Sequence, residues 1–233
     1  MRPISRLALL VLPIVCQSLA ARSLAAQGDR ATEANAPAQA IASDSLARAR
    51  LVDLRAVIPG ARYELRYATA DNFTGAVLPG YGAARPLLRR EAAAALAEVE
   101  RDLEGRGLQL KIWDGYRPVR ATLGMVAWCQ AHGRTDLLDS GYIARRSRHN
   151  QGVAVDLTVV RRSDGRELPM GTSFDEFSDR AHTANATGDA ARNRAVLGDA
   201  MRRRGFVNFV GEWWHFSFAV PDPVPFDLAL ERW

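Results

Sequence analysis

Two histidines, an aspartate and a glutamate stand out among the 233 residues, in two blocks far apart in the chain. His149 and Asp156 lie in Ser147-Arg148-His149-Asn150-Gln151-Gly152-Val153-Ala154-Val155-Asp156, and Glu212 and His215 lie in Glu212-Trp213-Trp214-His215. Two imidazoles and one carboxylate suffice as the protein ligands of a catalytic zinc, which takes three and leaves one position open for water. A neighbouring glutamate that is not a ligand is what metal-assisted hydrolysis needs as general base. Singly, each residue has a plainer reading: His215 among aromatics as a core histidine, Asp156 as a hydrogen-bond anchor. As a set they point to one metal centre, which only a folded domain can assemble.

The elements that must position them follow from period and punctuation. A strand over Val153–Val159 puts Val153, Val155 and Leu157 on one face and Ala154, Asp156 and Thr158 on the other. His149 is at an odd offset from Asp156, so it must turn back from a preceding loop, with Gly152 as the backbone break. A strand over Trp214–Val220 puts His215 and Ser217 opposite Trp214, Phe216 and Phe218. Glu212, three residues from His215, then belongs to a bend after Gly211, beside the metal and off the strand. Further strands are expected at Arg62–Ala68, Leu108–Trp113 and Phe206–Val210. Helices are expected at Arg90–Glu104, at Pro118–Ala131 and at Asp189–Arg204, the last acidic at its start and basic at its end. Without a regular βαβ alternation, the class is α+β: a single domain with a small, mainly antiparallel sheet flanked by about three helices.

Composition bounds the rest. The chain is 48% hydrophobic and 24% charged, ordinary for a globular protein. Met1–Ala26 has two early arginines, an apolar run from Leu7 to Val15 and then small residues, the pattern of a secretory signal peptide. That run is too short to span a bilayer, and export to the periplasm or beyond is the expectation. Val15 before Cys16 is bulkier than a lipid-attachment site favours, which argues against lipid anchoring there. Losing residues 1–26 removes Arg2, Arg6 and Arg22 and no acid, taking the formal charge from +5 to +2. Nucleic-acid binding therefore gains no support from the basic balance. Residues 27–50, rich in alanine, read as a linker, and residues 51–233 as the catalytic domain. Cys129 reads as a buried small residue, and His132 as a helix C-terminal residue that meets carbonyls. Trp113, Trp128 and Trp213 read as core.

Together with Trp113-Asp114-Gly115-Tyr116-Arg117-Pro118, the two blocks resemble the zinc-dependent D-alanyl-D-alanine dipeptidases of the vancomycin-resistance type. Tyr67–Gly75 and Met170–Asp175 resemble the same family, so the likeness runs from about Tyr63 to Phe218. It implies one zinc per chain held by His149, Asp156 and His215, with Glu212 as base. It implies that Arg117 polarises the scissile carbonyl, the electrostatic aid acyl hydrolysis calls for; the plainer role for Arg117 is an ion pair with Asp114. Ser147, Tyr67 and Asp175 match positions that line a dipeptide pocket, with Asp175 suited to a substrate ammonium. The expected partner is thus a small D-dipeptide. Two other functions stay open: a zinc D,D-carboxypeptidase or endopeptidase acting on peptidoglycan stem peptides, and a non-catalytic cell-wall-binding module. The export leader sits well with wall turnover, while the dipeptidase-like segments favour the free dipeptide.

Overall fold

Alternating β-branched segments and alanine-rich amphipathic segments resolve into a sheet with helices against it. The computed structural model describes residues 39–233, so the leader and Cys16 lie outside the described residues. The strands are β1 (Leu51–Asp53), β2 (Arg62–Tyr63), β3 (Leu87–Arg89), β4 (Leu108–Asp114), β5 (Ala154–Arg161), β6 (Phe206–Asn208) and β7 (His215–Phe218). The α-helices are α1 (Asp44–Arg50), α2 (Leu54–Val57), α3 (Arg90–Glu104), α4 (Val119–Ala131), α5 (Asp136–Asp139) and α6 (Gly188–Arg203). The main sheet has the order β2-β4-β5-β7-β6. Only its β2–β4 edge is parallel, so it is the mainly antiparallel sheet of an α+β domain. β1 and β3 form a separate antiparallel pair.

Helix α3 buries Ala92, Ala93, Leu96, Val99 and Leu103, the stripe its periodicity announces. Each fully buried leucine there contributes about 1.5–3 kcal/mol of hydrophobic stabilisation. Glu100 on the same face accepts the Leu110 amide at 2.7 Å, tying α3 to β4. Pro118 stands as the N-cap of α4, where its missing N–H is harmless. Helix α6 buries Leu197, Ala200 and Met201. Cys129, Trp113 and Trp213 are buried as expected, and His132 Nδ1 lies 2.8 Å from the Trp128 carbonyl at the end of α4.

Some boundaries differ from the sequence expectation. Residues 44–50, inside the stretch read as linker, form α1, capped by Ser43, with Ala47 fully buried. Small residues need little hydrophobicity to pack closely, which is why composition concealed this helix. The strand expected over Arg62–Ala68 pairs only at Arg62 and Tyr63; Arg66–Ala68 is a 3-10 turn. Arg66 spans Glu64 and Asp71 at 2.7 and 2.6 Å, local bonds that favour the turn, and the turn carries Tyr67 inward. β7 is shorter than Trp214–Val220, because Trp214 still belongs to the turn that enters it. β5 is buried on both faces, so its Asp156 face is an enclosed one.

Register decides where the site lies. Asp156 on β5 stands opposite His215 on β7. On the other side, β4 carries an irregularity between Ile112 and Asp114, so Asp114 and not Trp113 stands opposite Asp156. A bulge of this kind re-aims a side chain. Three adjacent strands thus line up Asp114, Asp156 and His215.

Candidate metal centre and cleft

His149 arrives from a capped turn. The Ser147 hydroxyl accepts the His149 amide at 3.3 Å, and Asn150 Oδ1 accepts the Ser147 amide at 3.1 Å, a reciprocal cap on the 3-10 turn Arg148–Gln151. Gly152 closes that turn with φ 67°, and a Cβ there would lie 2.5 Å from Leu51 Cδ2. No other residue both adopts that conformation readily and fits the space. The chain can then enter β5 with His149 folded back over Asp156.

His149 Nδ1 lies 2.7 Å from the Gly115 carbonyl. A carbonyl only accepts, so Nδ1 carries the proton and Nε2 keeps its lone pair. That lone pair faces Asp156 Oδ2 at 3.3 Å and His215 Nδ1 at 3.1 Å, while His215 Nδ1 lies 2.9 Å from Asp156 Oδ1. Ligands held tetrahedrally at about 2.0–2.1 Å from a zinc ion sit about 3.3 Å apart, so the donor set fits such an ion. A cation at the centre satisfies all three donors at once.

Glu212 occupies the bend expected of it. It is buried, its amide donates to the Phe209 carbonyl at 3.0 Å, and Asn208 Nδ2 donates to the carbonyls of both Glu212 and His215 at 3.0 Å. Its Oε2 is 3.9 Å from His215 Nδ1, beside the donor set and outside it.

Arg117 has both of the roles considered for it within reach. Its guanidinium is bound to Asp114 at 2.9 Å, lies 3.5 Å from Asp156 Oδ2, and sits 4.9 Å over the Tyr67 ring. Burial works against its charge, but Asp114 and the groups around it outweigh that and raise its pKa, so it stays a fixed cation. Tyr67 donates its hydroxyl to Asp175 at 3.0 Å. Burial, with the charge of Asp156, pushes the Asp175 carboxyl well above its ordinary range. A cation brought against Asp175 favours its ionised form.

His149, Asp156, His215, Glu212, Arg117, Ser147, Tyr67 and Asp175 all line a single cleft. The ion pair of Arg117 with Asp114 was among the sequence expectations, but not the place of Asp114 beside the donor set. Asp114 is fully buried, anchors Arg117, and accepts the Tyr81 hydroxyl at 2.5 Å; the bulge that aims it has no sequence signature. Sequence reasoning left out other neighbours. Tyr142 and Phe177 add aromatic walls, and the Tyr142 hydroxyl meets His182 Nε2 at 3.1 Å. Asn150 ties the His149 turn to the Arg117 carbonyl at 2.9 Å and to Thr122 Oγ1 at 2.8 Å.

Gly115 offers a direct test of how His149 is oriented. A Cβ there would fall 2.6 Å from the Leu87 carbonyl oxygen, which is backbone and cannot yield freely. Gly115→Ala must therefore shift the carbonyl that holds His149 Nδ1. The expected result is a loss of roughly 10–100-fold in metal affinity, the usual cost of disturbing a group behind a ligand. Titration against a competing chelator measures it; an unchanged affinity rules out this orienting role.

Comparison with known proteins agrees with the geometry. A family profile described as "D-ala-D-ala dipeptidase" (Peptidase_M15) matches residues 47–224. The D-alanyl-D-alanine dipeptidase of Enterococcus faecium is 35% identical over 194 residues, covering 75% of this chain and 95% of that protein. The D-alanyl-D-alanine dipeptidase of Escherichia coli (strain K12) is 37% identical over 184 residues, covering 78% of this chain and 90% of that protein. The solved structure of VanYB in complex with D-alanine-D-alanine aligns over 58% of this chain and 73% of that one, at 13% identity and TM-score 0.37, too slight a likeness to bear on function. With the profile spanning most of the chain and these relatives matched almost end to end, the protein belongs to the M15 peptidase family of D-Ala-D-Ala dipeptidases.

Proposed function

We propose that the protein is a zinc-dependent dipeptidase that hydrolyses D-alanyl-D-alanine or a similar small D-dipeptide. The observation that carries this reading is the convergence of His149 Nε2, Asp156 and His215 Nδ1, with Glu212 just outside them in the same cleft. Two imidazoles and one carboxylate favour zinc among divalent ions, one ion per chain. Zinc, when bound there, supplies Lewis acidity toward a carbonyl oxygen and toward water.

The chain's own residues supply the rest. Glu212 takes a proton from the attacking water and passes it to the leaving amine. Arg117, held by Asp114, presents a fixed positive charge to the oxygen that becomes negative as the carbonyl is attacked. Asp175 receives the substrate's ammonium, with Tyr67 fixing its carboxylate. Ser147 offers a hydroxyl to either substrate end. A wall-binding module without catalysis has no use for a base and a cation arranged around a metal site.

In the described residues no helix is long and apolar enough to cross a membrane. Export by the leader read from residues 1–26 would put the enzyme among the peptides of wall turnover, where salvage of D-dipeptides is a consistent role. The same leader keeps the stem-peptide carboxypeptidase or endopeptidase as the second reading. Substrate length separates them. Free D-Ala-D-Ala is expected to be cleaved well and peptides extended at the amino end poorly, since an acylated nitrogen presents no ammonium to Asp175. Steady-state kinetics on the dipeptide and on a pentapeptide ending in D-Ala-D-Ala checks this. Comparable turnover of both selects the carboxypeptidase reading.

A further inference from the structure

Arg194 is a buried cation that the chemistry above does not use. It lies on α6 at 4% exposure, with no salt bridge to a carboxylate among the described residues. Its guanidinium is spent on three main-chain carbonyls: Nε donates to Met170 at 2.8 Å, Nη1 to His182 at 2.7 Å and Nη2 to Arg180 at 3.0 Å. The group also lies 5.7 Å from the centre of the Trp213 ring. Burying a charge without a carboxylate in direct contact is costly; burial pulls the pKa of this arginine down, and the more distant charge of Glu176 offsets that only in part. An arginine kept there under that cost needs a reason.

The three carbonyls mark the two ends of one loop. Met170 precedes Asp175, whereas Arg180 and His182 follow it, so one guanidinium closes the neck of the loop that carries Asp175. Asp175 has φ 58°, the one non-glycine residue with positive φ among the described residues. That conformation is disfavoured for an L side chain and persists where the surroundings hold it. The neck is also packed tightly on α6: a Cβ on Gly171 would lie 3.1 Å from Ala190 Cβ and 3.5 Å from Arg194 Nη2. Beyond the neck, Phe174 stacks on Trp113 with ring centres 4.8 Å apart, while Asp175 and Phe177 line the cleft.

We infer that Arg194 is a positioning residue for recognition of the substrate's amino end: by clamping the neck of the 170–182 loop it holds Asp175 in its left-handed conformation and its carboxylate in the cleft. This rests on the reading of Asp175 as the ammonium partner. Arg194 touches no substrate; it acts through Asp175. The clamp is multidentate, so a lysine, which keeps the charge but lacks the planar fork, does not replace it.

The test compares kcat, KM and zinc content of wild type, Arg194→Lys, Asp175→Asn and the double variant, with D-Ala-D-Ala and N-acetyl-D-Ala-D-Ala as substrates. Arg194→Lys is expected to raise KM for the free dipeptide about tenfold or more, with kcat changing much less and zinc content unchanged. It should also narrow the preference for the free over the acetylated dipeptide, and add nothing in the Asp175→Asn background. If Asp175→Asn alone leaves KM and that preference intact, the ammonium reading falls and this inference with it. If Asp175→Asn acts but Arg194→Lys does not, or their effects simply add, only the Arg194 inference is overturned. Arg194→Gln, which removes the buried charge, takes the place of Arg194→Lys if the latter does not fold and is read in the same way. Failure of both to fold assigns Arg194 to folding alone and overturns the inference.

Discussion

Glu212→Gln is expected to lower turnover of D-Ala-D-Ala by roughly 10²–10⁴-fold, the usual contribution of a positioned general base, while zinc content stays near that of the wild type. The reason is geometric. Glu212 Oε2 stands 3.9 Å from His215 Nδ1, whereas the two imidazole nitrogens lie 3.1 Å apart, with Asp156 Oδ1 2.9 Å from His215 Nδ1 and Asp156 Oδ2 3.3 Å from His149 Nε2. The carboxylate is near the metal position without sharing it. Glutamine keeps the size of the side chain and leaves the bend untouched, because the Asn208 bonds that hold it go to the Glu212 and His215 carbonyls. What it loses is the capacity to take a proton from water. KM should change little, since the substrate's ends are held by other groups. Zinc by mass spectrometry, run beside the kinetics, decides the outcome. A fully active variant transfers the base role elsewhere, and a zinc-free one makes Glu212 a ligand.

His215→Ala is expected to remove most of the zinc, from about one ion per chain, and to take hydrolysis to background with it. Three protein donors are the minimum a catalytic zinc normally has, and this change leaves only His149 and Asp156. It also leaves the buried Asp156 carboxylate without the nitrogen 2.9 Å from its Oδ1, so a lower melting temperature should accompany the loss. His149→Ala should behave alike in zinc content. It further empties the contact to the Gly115 carbonyl. A variant of either kind that retained full zinc occupancy would strike that residue from the ligand set. Melting curves with and without added zinc separate loss of metal from loss of fold, because a ligand bound by the native state alone raises the melting temperature of any variant that still binds it.

Parts of this architecture could be read directly from residue order. The apolar stripe of Arg90–Glu104 and the glycines beyond it dictate α3 almost to the residue. The β5 segment and the bend at Glu212 follow from strand period and from an offset of three, which no regular strand reconciles with His215. Those inferences are local: they depend on backbone periodicity, and the tertiary structure had no competing demand to impose. Where local bonding or packing did compete, the expectation failed. Arg66 bridging Glu64 and Asp71 turned a strand into the 3-10 turn that delivers Tyr67. Close packing of Ala47 made a helix out of a composition that reads as linker.

The residues proposed as metal donors, base and cation could be singled out in the sequence because residue type and spacing narrow the possible chemistry so strongly, and the structure brings them into one cleft. Sequence alone also determined that His149 had to leave the strand, since an odd offset and a glycine admit few other paths. Only the tertiary structure decided what surrounds those groups. The bulge before Asp114 sets which β4 residue faces Asp156, and a bulge is a property of pairing between strands, with no trace in either strand by itself. The Gly115 carbonyl that orients His149 is a main-chain atom, silent in any motif. The Arg194 clamp joins a helix to both ends of a loop, a closure set by distances in space that no periodicity encodes.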